Sequence, residues 1–262
     1  MGSTGVREKR AGRRPARRLR GFIGCAVLAC LVFLAGCGSA PAWQGMEPEA
    51  LFAYGVEAFE DEEWEEAIGA FEALIFRNPT SQEMAEARMY LARAHFQKGE
   101  YITSAAEFER FLLQYSSHGL APEASLGICR SYARLSPRPE RDQGYTERAV
   151  DACRNTIQEF EGMNVAEEAR TIQNRMFSRL AESLYLQGRQ YQRRGFHDSA
   201  IIYFQDLVDY YPQTEWAAWG FHALYRSYTA IGWEEEADRA RRRLLDNYPD
   251  SEAADEVREG SA

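Results

Sequence analysis

The residue with the most definite chemistry is Cys37. It closes the run Leu34-Ala35-Gly36-Cys37, small residues leading to a thiol. That order suits a peptidase that needs an unobstructed backbone at the cut. It also suits a thiol that carries a diacylglyceryl group as a thioether. Upstream, Arg7, Lys9, Arg10, Arg13, Arg14, Arg17, Arg18 and Arg20 precede an uncharged stretch from Gly21 to Gly36. Positive, then apolar, then small is the order of a secretory signal. Residues 1–36 are expected to be a lipoprotein signal peptide and 37–47 a lipidated tether. The competing reading is an uncleaved anchor, because the uncharged stretch runs on through Ala42 and approaches the roughly 20 residues of a membrane span. Ser39, rather than Asp, stands second after Cys37, which points a mature lipoprotein to the outer membrane with its body facing the periplasm. A covalent lipid on Cys37 is the sole prosthetic group expected, with no other cofactor and no metal.

The remaining candidates for chemistry are weaker. Cys25 and Cys30 would leave with the signal, so Cys129 and Cys153 remain, in an oxidising compartment. They suit either a disulfide across a helix hairpin or two small buried apolar residues, and the second is the expectation. His95, His118, His197 and His222 are scattered, and His95 and His197 occupy slots that suit structural aromatics. No phosphate loop, dinucleotide fingerprint, His-Glu-x-x-His or Cys-x-x-Cys occurs. Glu60-Asp61-Glu62-Glu63 and Glu234-Glu235-Glu236 read as solvated helix termini. Nothing nominates a catalytic set, so no enzyme is expected. The formal charge of −9 divides into +7 over residues 1–36 and −16 over the rest. A body that acidic argues against nucleic acid, whose recognition needs clustered Lys and Arg.

The elements that must position any site come from repetition. Trp64-Glu65-Glu66-Ala67-Ile68-Gly69-Ala70-Phe71 returns as Gly99-Glu100-Tyr101 through Phe108, 37 residues on, then as Gly195 through Phe204 and as Gly232 through Ala237. Asn78-Pro79, Tyr211-Pro212 and Tyr248-Pro249 close three copies. Apolar residues recur at helical spacing with Pro confined to junctions. This is the tetratricopeptide pattern, an all-α superhelical solenoid of about five helix-turn-helix repeats. The repeats are expected at 48–81, 85–118, 120–161, 181–214 and 218–251. Thr80-Ser81-Gln82-Glu83 has capping-box spacing. Pro137 and Pro139 interrupt the third repeat with a long loop. Val165 to Arg194 reads as one long helix coupling an amino-terminal half, 48–161, to a carboxy-terminal half, 162–258. Residues 259–262 form a tail.

First helices of such repeats line a groove. Helical phasing assigns to it Phe52, Val56 and Phe59, then Met89, Arg93 and Phe96, then Ile128 and Tyr132. Aromatics with one Arg suit an extended peptide with apolar side chains and a terminal carboxylate. A phase error of one residue would instead put several of these in the core. Tyr185, Tyr191, Trp216, Trp219 and Trp233 enrich the carboxy-terminal half in exposed-looking aromatics, suited to an interface or to repeat packing, with Trp216 and Trp219 evenly balanced between the two.

A lipobox followed by five such repeats resembles the BamD family of outer-membrane assembly lipoproteins. Glu65-Glu66-Ala67-Ile68-Gly69-Ala70-Phe71-Glu72-Ala73-Leu74 is similar to that family's first repeat. Arg141-Asp142-Gln143 is similar to an element of its interrupted third repeat. Arg179-Leu180-Ala181-Glu182, continuing to Tyr191-Gln192-Arg193-Arg194-Gly195, looks like its linking helix. Ser116-Ser117 and Glu161-Gly162-Met163 depart from its pattern. The resemblance implies a scaffold without a chemical step. Its amino-terminal groove would take targeting segments of unfolded outer-membrane β-barrel proteins. Its carboxy-terminal half would dock a BamA-like barrel subunit through Arg189, Tyr191, Arg193 and Trp219, with accessory lipoproteins as further partners where they exist. The alternative is another periplasmic repeat lipoprotein coordinating envelope or division complexes, against which stands the absence of a sustained heptad before the first repeat.

Overall fold

The computed structural model describes residues 1–2, 42–79 and 82–259. Cys37, its leader and the Thr80-Ser81 cap lie outside the described residues. Contacts divide the chain at Gly45, and everything from Met46 onward belongs to one compact unit.

Among the described residues that unit holds eleven α-helices and no strand. They pair as α1 (Pro48–Glu60) with α2 (Trp64–Arg77), α3 (Met84–Lys98) with α4 (Tyr101–Tyr115), and α5 (Ala121–Leu135) with α6 (Gly144–Glu159). Then α7 (Asn164–Arg193) pairs with α8 (His197–Tyr210), α9 (Trp216–Ala230) with α10 (Glu234–Asn247), and α11 (Glu252–Glu259) closes the stack. This is the all-α repeat solenoid expected. α11 was not foreseen as a helix: it buries Ala253, Ala254 and Val257 and covers the last repeat's open face.

One turn geometry recurs in four repeats. The amides of Glu63, Glu100, Phe196 and Trp233 donate to the carbonyls of Ala58, His95, Tyr191 and Tyr228, closing each first helix. The residue before each donor is left-handed. Glycine fills that position at Gly99, Gly195 and Gly232, but in the first repeat it is Glu62, at φ 62°.

Phe71, Phe108 and Phe204 sit at one position of the second helices and are buried. Phe71 and Phe204 press on glycines of their own first helices. A Cβ on Gly188 would lie 2.5 Å from the Phe204 ring, which explains why glycine stands there. In the third repeat the corresponding residues are Cys129 and Cys153, and they form a disulfide with Cα atoms 4.8 Å apart. The expectation of two buried free thiols is therefore corrected. The repeat register sets this pair where the first and fourth repeats place glycine against phenylalanine, and a covalent link replaces that contact.

The interrupted segment 136–143 is held by polar groups. Arg179, on α7, donates through Nη1 to the carbonyls of Ser136 and Pro137 at 2.9 and 3.0 Å, satisfying the end of α5. Gln143 donates to the carbonyls of Arg138 and Arg141. The long coupling helix α7 spans 30 residues. Its first half packs on α6 and α5 and its second on α8 and α9.

Candidate functional site: two clefts on the first-helix face

The amino-terminal cleft has a volume of about 170 Å³ and is lined by Phe59, Arg93, Phe96, Gln97, Phe108, Glu123, Gly127 and Arg130. Its aromatics hold one another in place. Phe59 lies edge-on to Trp64 and Tyr90, with centroids 5.2 and 5.3 Å away, and Phe96 edge-on to Tyr101 at 5.2 Å. Both arginines are already paired. Arg93 grips Glu123 with Nε at 2.9 Å and Nη2 at 2.6 Å. Arg130 grips Glu168 at 2.7 and 2.6 Å, tying α5 to α7. These hydrogen bonds hold the Glu168 carboxyl below the usual carboxylate range, against the opposing effect of burial.

Of the eight residues assigned to the groove, Phe59, Arg93 and Phe96 meet here. Phe52 instead packs against Phe71 and Tyr90 where the first repeat meets the second, and Val56 is half-buried on the same helix without lining the cleft. Met89 is a correction: it is fully buried in the core with Phe108 and Phe111. Ile128 and Tyr132 are a second. They line a cleft of about 420 Å³ between the second helices α4 and α6, with Glu109, Arg148 and Asp151. The assumed phase of α5 was off by about one residue, a rotation of roughly 100°. Burial and the neighbouring Glu109 raise the Tyr132 phenol's pKa above its ordinary value.

The carboxy-terminal cavity is larger, about 430 Å³, and is lined by Tyr185, Arg189, Gln192, Trp216, Trp219, His222, Ala223, Arg226 and Glu256. Its members come from stripes at helical spacing on α7 and α9, with Glu256 from α11. Tyr185 and Trp216 pack with centroids 5.2 Å apart, and Trp219 lies edge-on to His222 at 5.7 Å. Gln192 bridges α7 to α9, donating to Ala223 O and Ser227 Oγ. Arg189 donates to the Tyr185 hydroxyl at 2.7 Å, while its Nε is shielded from solvent without a partner. Burial pushes the His222 imidazole below its ordinary pKa. Arg226 and Arg189 push it the same way and Glu256 opposes them.

The four residues assigned to docking do not converge. Arg189 and Trp219 share this cavity. Arg193 is exposed and lines a separate cleft of about 690 Å³ against the 139–143 segment. Tyr191 stacks on Tyr203 at 5.3 Å and belongs to repeat packing. Tyr185, read as exposed, is buried. Phasing missed Glu123 and Arg130 in the first cleft, and His222, Arg226 and Glu256 in the second. The 37-residue shift between early repeats would have found one of them, because it carries Arg93 onto Arg130.

Five helix pairs joined through one long coupling helix, with clefts lined by first-helix residues, define a tetratricopeptide-repeat solenoid. Residues 44–244 match the family YfiO, outer membrane lipoprotein, and the chain belongs to that family. A relative in Caulobacter vibrioides, outer membrane protein assembly factor BamD, is 25% identical over 77% of this chain and 66% of its own length. The protein of the same name in Vibrio cholerae is 26% identical over 82% of this chain and 93% of its own. Among solved structures, the TPR2AB domain of yeast Sti1 is similar at a TM-score of 0.40 and 14% identity, covering 79% of this chain and 80% of that one. Among the described residues no helix is long and apolar enough to cross a membrane.

Proposed function

We propose that the protein is a scaffold in outer-membrane protein assembly, held at the periplasmic face of the outer membrane by a lipid on Cys37. The amino-terminal cleft around Phe59, Arg93 and Phe96 takes extended apolar segments of unfolded β-barrel proteins. The carboxy-terminal half docks a BamA-like barrel subunit, with Arg189 and Trp219 at the contact. Work is done by binding and handover, with no bond made or broken. The observation that carries the reading is the family match over residues 44–244, on a solenoid whose first helices present clefts walled by aromatics. Backbone-paired helices leave side chains as the means of recognition, and ring faces suit an extended apolar chain.

Affinity purification from solubilised envelopes tests this directly. Recovery of a barrel-forming subunit with periplasmic domains is expected. Recovery of peptidoglycan or division proteins in its place would reassign the scaffold. For the anchor, Cys37→Ser is expected to abolish acylation and cleavage, read by mass spectrometry of the membrane fraction. A mature product of unchanged mass would refute the lipid attachment.

A further inference from the structure

The carboxy-terminal cavity holds two arginines that meet no carboxylate among the described residues. Arg189 and Arg226 both line it, and among the described residues neither makes an ion pair. The cavity's one carboxylate, Glu256, lies 3.6 Å from His222 Nε2. Arg189 lies over the Tyr185 ring, 5.5 Å from its centroid, uses one donor on the Tyr185 hydroxyl and has a shielded Nε with no acceptor. Both guanidinium groups sit near enough to His222 to disfavour its protonation. Arg226 is exposed and Arg189 half-buried, and the shielded Nε of Arg189 is costly to leave without an acceptor. The walls beside them are the rings of Tyr185, Trp216 and Trp219.

From this arrangement we infer that the cavity is a receptor for an acidic side chain flanked by apolar residues on a partner polypeptide. A planar guanidinium recognises a carboxylate through two parallel bonds, and the indole faces take the apolar neighbours. The occupant is a carboxylate within a chain rather than a chain terminus. Terminal carboxylates are captured by arrays of free backbone amides, whereas the lining residues other than Trp216, Trp219 and Glu256 lie in helix interiors, where amides are spent on the helix itself. The inference rests on reading the carboxy-terminal half as the docking side and names the chemistry docked there.

The test is calorimetry on the full-length lipoprotein in detergent with three probe peptides. The first is alanine–phenylalanine–glutamate–phenylalanine–alanine capped at both ends, the second its glutamine counterpart, and the third that counterpart with a free carboxy terminus. The glutamate peptide is expected to bind about tenfold more tightly than the capped glutamine peptide. Arg189→Gln with Arg226→Gln is expected to abolish the difference, and Arg154→Gln, on an exposed face, to keep it. Arg226→Gln alone, at an exposed position, carries the test if the double variant melts early. Equal binding of the capped peptides, no binding of any peptide, or a preference that survives the arginine substitutions would overturn the inference. Tightest binding of the free-terminus peptide would also overturn it, in favour of chain ends. The same variant separates the two readings in envelope purification. Barrel-subunit recovery unchanged by Arg226→Gln counts against this inference alone, while no recovery by the native protein counts against the assembly role alone.

Discussion

In the amino-terminal cleft Arg93 and Arg130 each meet a carboxylate through two parallel bonds from one edge of the guanidinium, while in the carboxy-terminal cavity Arg189 and Arg226 meet none. The surrounding charge follows the same division. Residues 48–161 carry eleven basic and twenty-one acidic side chains, a formal −10, and residues 162–258 carry twelve and sixteen, a formal −4. The two regions share a fold and an aromatic wall and differ in whether their cations are available. An arginine named from sequence as a carboxylate clamp is therefore a clamp only where no acid of the chain reaches it first. Arg93 fits the part by type, yet Glu123 already occupies it.

The largest expected effect lies at the seam between the regions. Cys129→Ser opens the disulfide that closes a 24-residue separation, at a cost of about 3 kcal/mol. A fall of about 6–12 °C in melting temperature is expected by differential scanning calorimetry. A melt identical to the native protein's would show that packing alone holds the third repeat.

Next comes a direct attempt to make the two clefts alike. Glu123→Gln removes the acid from Arg93, so the amino-terminal cleft should gain a preference of about tenfold for the capped glutamate peptide over its glutamine counterpart. The stability loss should stay near 1 kcal/mol or less, because both partners are part-exposed. If calorimetry finds no second site, pairing is not what distinguishes the clefts.

A smaller effect separates the regions by pH. His222 is held below its ordinary 6.5 in the folded protein, so on acidification the unfolded chain takes that proton first. Stability contributed at this position is complete above about pH 6.5 and falls below it. Glu168 is held below its ordinary 4.5, so its contribution is present above that value and fades only as pH drops through the lower folded one. Between pH 7 and 5 the melting temperature should therefore decline by less in His222→Gln than in the native protein. Parallel declines would remove His222 from the account.

The smallest effect concerns Glu62, the side chain that takes a left-handed turn where other repeats use glycine. Glu62→Gly relieves about 1 kcal/mol of backbone strain and gives part of it back in unfolded-state freedom, for a net gain of about 0.5 kcal/mol. A thermal melt shifted up by a degree or two would agree, and a lower one would show the glutamate has another role.

The solenoid was legible because its signals are local and periodic. Turn glycines, a buried Ala67 or Ala200, and closing prolines recur at near-constant spacing, and each reports on its own repeat. The clefts were less legible because lining depends on angular phase across helices. Phe59 and Phe96 are related by the 37-residue shift and were found. On α5 the apolar Ile128 and Tyr132 drew the assignment, while the face toward the cleft carries Glu123, Gly127 and Arg130. Met89 illustrates a related ambiguity, since an apolar residue in a first helix suits the core as well as a groove. Glu256 was out of reach because α11 follows the last recognisable repeat. The disulfide was readable only through register, which sets Cys129 where Gly55 stands and Cys153 where Phe71 stands.

The unbroken 30-residue helix α7 carries a constraint of its own. It is a keyed shaft about 45 Å long, with one region mounted at each end. Adding or removing one residue within it would turn everything downstream by about 100° and slide it about 1.5 Å. The whole carboxy-terminal cavity would then take a new bearing relative to the amino-terminal cleft, although no residue of either had changed. Seven inserted residues would bring the far end back to within about 20° of its original bearing. The two binding regions are thus indexed to each other by torsion, and the length of this helix can change only in steps of about two turns.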